Sequence, residues 1–150
     1  MKELRISNTL TGISGVHYVV SEMSRMGWIA LPTIKNTAGY DVIAVSPSGR
    51  RHANIQVKTS SKRVRFWPMP PEEKVRNGLN DFYVFIRWQE ELHRYEGFLV
   101  TGKEAKKQVI KEVRHQQRNR SARALFPAFH FRNARGHEGA WARAWSNFRP

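Results

Sequence analysis

Residues 39–60 constrain the fold more tightly than any other stretch of the chain. Apolar residues run from Val42 to Val45. Ser46-Pro47-Ser48-Gly49 follows, with Pro second and Gly fourth, and Ala53, Ile55 and Val57 then alternate strictly with polar residues. This pattern predicts a β-hairpin. In its second strand the period of two puts Ile55 and Val57 on one face and Gln56 and Lys58 on the other, the latter pair roughly 7 Å apart. Asp41 opens the first strand, and an antiparallel return carries its carboxylate toward Gln56 and Lys58. The same spacing also suits an amphipathic hairpin whose Gln-x-Lys face is merely solvated.

Asp41 followed by Gln56-Val57-Lys58-Thr59-Ser60 resembles the core of the PD-(D/E)XK nuclease superfamily, in its variant with Gln in place of the second acid. Restriction enzymes and Holliday-junction resolvases share that fold. Tyr40 stands where the family usually has Pro. The resemblance spans about residues 12–101 and implies an α/β, restriction-endonuclease-like domain with a mixed four- to five-stranded sheet flanked by helices. It further implies Asp41 and Gln56 as ligands of Mg²⁺ or Mn²⁺, and Lys58 as the cation that positions or activates the attacking water. Many proteins of this fold pair to cut both strands, so a homodimer is the corresponding expectation.

Ahead of the hairpin, residues 12–26 place Val16, Val19, Val20, Met23 and Met26 on one helical stripe, with Gly27 as a stop. In the family, a Glu about three turns before such a Gly completes the metal site. That position is Val16 here. Glu22 is the only carboxylate in the helix and is the substitute ligand to test, although it lies off the core-facing stripe. His17 is closer in sequence, but neutral imidazole is a poor ligand for Mg²⁺. A weakly held cation is therefore expected, with substrate phosphate completing its shell.

With 150 residues, the chain is long enough for one domain with a substantial core. It has no cysteine, which excludes disulfides, thiolate metal sites and cysteine nucleophiles. The N-terminus lacks the apolar core of a signal peptide, and no apolar run reaches membrane-span length. A cytoplasmic protein without a membrane partner is expected. The formal charge of +14 points to a polyanion, with nucleic acid ahead of a membrane surface.

The remaining chain supplies the rest of the sheet and most of the charge. Residues 28–34 read as a short strand in which Pro32 marks either an edge or the strand's end. Lys62, Arg63 and Arg65 lead directly into Phe66 and Trp67, a pattern suited to phosphate contact with stacking or packing beside it. Residues 68–80 read as a Pro-led connector with room for one helical turn, and Asp81–Trp88 and Arg94–Val100 as strands. Thr101, with Glu104 three residues on, caps a helix running to about Gln117. From Lys103 onward, twelve Lys and Arg face three acids, a net of +9. Arg114, Arg118 and Arg120 mark a candidate nucleic-acid arm. His130 and His137-Glu138 lack metal-ligand spacing, and Trp141, Trp145 and Phe148 sit at helical intervals.

Two functions follow from these expectations. One is a metal-dependent DNA endonuclease or resolvase-like phosphodiesterase. The other is a nuclease-fold protein without hydrolysis, serving as a nucleic-acid-binding or assembly module.

Overall fold

The structure, a computed structural model, describes residues 6–34, 39–119 and 125–134. Helix α1 (Asn8–Arg25) begins one turn before the predicted boundary. Ser7 is the reason: its Oγ accepts the Leu10 N–H at 3.2 Å, satisfying a donor that the first turn leaves unpaired. The helix ends as predicted at Gly27, whose φ of +87° is open to glycine at no steric cost. There the Gly27 N–H donates to the Ser24 carbonyl and the Trp28 N–H to the Met23 carbonyl.

Among the described residues, seven strands follow in chain order: β1 (Ile29–Pro32), β2 (Val42–Val45), β3 (His52–Ser60), β4 (Phe66–Pro68), β5 (Asp81–Gln89), β6 (Arg94–Thr101) and β7 (Ala128–His130). Helix α2 (Gly102–Asn119) comes after β6, and the four-residue α3 (Phe131–Ala134) after β7. Five strands form one sheet in the order β1-β2-β3-β5-β6. The β3–β5 pair is parallel and the other three pairs are antiparallel. This is the mixed, helix-flanked α/β architecture that the sequence predicts. The edge position of β1 accommodates Pro32, which has no N–H to give a neighbour.

A parallel β3–β5 pair requires a crossover. Residues 61–80 make it with β4 and a single 3-10 turn, Glu72–Lys74, in place of a long helix. β4 pairs with β7 in a second, two-stranded sheet that the sequence did not reveal.

Each face of the main sheet carries its own core. On one, α1 lays Val19 and Met23 against Val42, Ile55, Phe82 and Val84. On the other, Ala105 and Val109 of α2, with Trp67 of β4 and Phe129 of β7, cover Tyr83, Phe85 and Phe98. Fully burying each such aliphatic or Phe side chain contributes about 1.5–3 kcal/mol. β5 packs on both faces, so Phe82 through Arg87 are all buried. Gly15 lets α1 lie directly on β3: a Cβ there would fall 1.8 Å from Thr59 Oγ1. Among the described residues, no helix is long and apolar enough to cross a membrane.

Candidate active site

The hairpin register decides where the three motif residues lie. β2 starts at Val42, which pairs with Ile55. Both belong to the α1-side core. Asp41, one residue earlier, lies at a bend outside β2, where strand alternation no longer sets the direction of its side chain. Gln56 and Lys58 share the other face of the sheet, since their β5 partners, Tyr83 and Phe85, belong to the α2-side core. Asp41 meets β3 at the Val57 backbone, between these two residues, and lines one cleft with Gln56.

A hydrogen bond fixes the carboxylate. The Asp41 N–H donates to the Ile55 carbonyl at 2.9 Å, the last rung between these two strands. The Val57 N–H points the same way, but no β2 residue is left to receive it. Asp41 Oδ2 accepts it instead at 2.7 Å. The acid thus extends the ladder with its side chain and is held against β3. Burial pushes the Lys58 ammonium below its usual pKa, and the Asp41 carboxylate opposes that shift.

Tyr40, the residue in the usual Pro position, anchors the same corner from the other side. Its hydroxyl donates to Asp81 Oδ1 at 3.0 Å and accepts from Arg76 Nη1 at 3.1 Å, while the guanidinium carbon lies 4.5 Å from its ring centre. Asp81 also accepts from Asn54 Nδ2 and from the Gly78 N–H. The start of β5 is thereby tied to the residue before Asp41. Sequence reasoning missed Asp81, and an acid at a strand start carries no signal that would have exposed it.

Two clefts meet at Gln56. One, of about 700 Å³, is lined by Asp41, Gln56 and Val57 and by Ile13, Val16 and His17 of α1. The other, of about 620 Å³, sets Gln56 beside Arg76, Asp81 and Lys106. Val16 thus lies in the same cleft as Asp41, at the position where an acid was expected. Glu22 lies elsewhere. Its carboxylate pairs with Arg25 at 2.9 Å and acts electrostatically on Tyr18, whose ring packs on Tyr95 of β6, across the sheet from β2. As a ligand partner of Asp41, Glu22 is not supported, because α1 turns it toward the opposite end of the sheet. Among the described residues, no three His, Asp or Glu side chains cluster closely enough to hold a metal ion.

The donor set nonetheless suits a hard cation of one kind. Mg²⁺ keeps several waters and is commonly bound through one or two carboxylates together with substrate phosphate oxygens. Asp41 supplies a carboxylate and Gln56 an amide oxygen in one cleft.

Of the predicted phosphate-contact residues, Lys62, Arg63 and Arg65 are exposed in the turn after β3, and Arg63 reaches Glu91 only at 3.8 Å. Arg114 and Arg118 are exposed on α2. Arg120, His137, Glu138, Trp141, Trp145 and Phe148 lie outside the described residues. Trp67 is not a stacking platform: it is buried, and its Nε1–H donates to the Ile86 carbonyl at 2.9 Å. His130 stands 3.1 Å from Glu112, across from α2.

No family model matches the sequence, and no curated protein matches it. Among solved structures, the chain is similar to a bacterial homing endonuclease, with 20% identity and a TM-score of 0.45 over 65% of this chain and 67% of that one.

Proposed function

We propose that this chain is a metal-dependent DNA endonuclease, or resolvase-like phosphodiesterase, of the PD-(D/E)XK type. The observation that supports the proposal is the bond from the Val57 N–H to Asp41, which holds the acid at the β3 backbone between Gln56 and Lys58, with Asp41 and Gln56 lining one cleft. Asp41 and Gln56 would hold Mg²⁺ or Mn²⁺. The ion, when bound, would supply Lewis-acid polarisation of a phosphoryl oxygen. Lys58 would orient a water and steady charge developing on the phosphoryl group. In the hydrolysis, the water oxygen forms a new P–O bond, one ester P–O bond breaks, and the departing oxygen takes up a proton. Lys62, Arg63, Arg65, Arg114, Arg118 and Arg120 would hold the remaining phosphates. A homodimer would bring two such pockets to the two strands.

Val16 favours a second reading, a nucleic-acid-binding or assembly module that no longer cuts. A carboxylate 4 Å from a unit positive charge gains roughly 4 kcal/mol at an effective dielectric of 20, before desolvation, and Val16 forgoes that attraction. Incubation of supercoiled plasmid and of branched DNA with Mg²⁺ or Mn²⁺ separates the two. Nicking or linearisation supports the enzyme. Salt-dependent binding with every substrate left intact supports the module.

A further inference from the structure

α2 buries Ala105 and Val109 against the sheet and turns a row of cations away from it. Lys103, Lys106, Lys107, Lys111, Arg114 and Arg118 recur at the three- and four-residue spacing of a single helical face and, with Asn77 of the crossover, line one groove. All but Lys106 are exposed. Like charges four residues apart, such as Lys103 and Lys107 or Arg114 and Arg118, repel one another. Among the described residues, the one carboxylate paired with this row is Glu104, 4.0 Å from Lys107. A face that gathers repelling charges with so little internal compensation is complementary to an external polyanion.

From this we infer that the α2 face is the track for one phosphodiester strand of duplex DNA, and that the strand passes from it to the candidate pocket at Lys106. Residues 103 to 118 span about 22 Å of helix. One strand of B-DNA presents about six phosphates over that length, at 3.4 Å of axis each. Lys106 also lines the smaller cleft at Gln56, and Gln56 in turn lines the cleft of Asp41, so the groove leads to the pocket through that residue. The groove is concave, walled by the crossover, and so suits a strand better than the flat surface of a membrane. The inference rests on the hydrolytic reading only for the strand's destination; the track stands on charge and geometry alone.

The test uses the full chain and a labelled DNA duplex, with binding followed between about 50 and 200 mM salt. Lys107→Gln/Lys111→Gln/Arg114→Gln is compared with Arg50→Gln/Arg51→Gln/Arg94→Gln, which removes the same charge from surfaces away from α2. The α2 variant is expected to flatten the slope of log affinity against log salt by about 2.7, at 0.9 per lost phosphate contact. The control is expected to change it far less. Lys107→Arg/Lys111→Arg keeps the charge and should keep the native slope. Equal effects of the two triple variants would overturn the track. So would preference for anionic phospholipid vesicles or for duplex RNA over duplex DNA. A stripe-specific slope change without cleavage would leave the track standing and remove the hydrolytic reading. Lys58-dependent cleavage with an unaltered slope would do the reverse.

Discussion

Asp41 accepts the Val57 backbone N–H at 2.7 Å, so the acid assigned to the metal also closes the β2–β3 ladder. The two roles separate by substitution. Asp41→Ala leaves a partly buried N–H without an acceptor and is expected to lower stability by about 1–3 kcal/mol. Asp41→Asn keeps an amide oxygen in place and should cost less, while removing the charge. Urea unfolding of both variants checks the order. If Asp41→Asn unfolds as readily as Asp41→Ala, the hydrogen bond is not what holds this corner.

Lys58 gives a pH dependence of definite sign. Burial lowers its folded pKa below its ordinary value of 10.5, so between those two values the unfolded chain binds more protons and stability rises with pH. At neutral pH the buried ammonium opposes folding. Lys58→Met is expected to raise the melting temperature there, with the gain shrinking as pH climbs toward 10.5. A gain independent of pH, measured by calorimetry, would contradict a charge penalty at this site.

Trp67 is structural. Trp67→Phe removes the donor from the Ile86 carbonyl inside the α2-side core and should cost about 1–3 kcal/mol, with DNA affinity unchanged. Weaker DNA binding at native stability would instead assign the ring to base stacking.

Gly15→Ala would drive a Cβ into Thr59 Oγ1 and should destabilise by about 1–3 kcal/mol, because α1 cannot lift off β3 without exposing Val19 and Met23. Thr59→Ala in the same chain should recover part of the loss, as the stability of the double variant would show.

The hairpin was readable because turn chemistry and alternation agree, and the strand period alone puts Gln56 and Lys58 on one face; Asp41, just outside β2, is placed by its bond to the Val57 N–H. The length of α1 was less so: Gly12 and Gly15 depress helix propensity, whereas Ser7 and the sheet beneath set its real start. β4 and β7 are three-residue strands some sixty positions apart in the chain, and no local pattern encodes such a pairing. The bond from Tyr40 to Asp81 and the shared cleft at Lys106 are likewise tertiary. A lysine on a solvated helix face reads the same from sequence whether or not a groove lies beside it.

Val16 bears on the proposed cation site. Val16→Glu places a second carboxylate in the cleft that holds Asp41 and is expected to tighten Mg²⁺ binding on the order of tenfold, since ligand charge tunes such sites by decades. Isothermal titration would show it. Unchanged affinity would mean that residue 16 does not face the cation.

The most direct test is cleavage of end-labelled duplex and plasmid DNA in Mg²⁺ or Mn²⁺ by the native chain, Asp41→Asn and Lys58→Met, with binding measured alongside in the absence of divalent cation. The native chain is expected to cut, and both variants to bind as it does while losing cleavage. Cutting by Lys58→Met at the native rate would contradict the account, as would a native chain that binds DNA and leaves it whole.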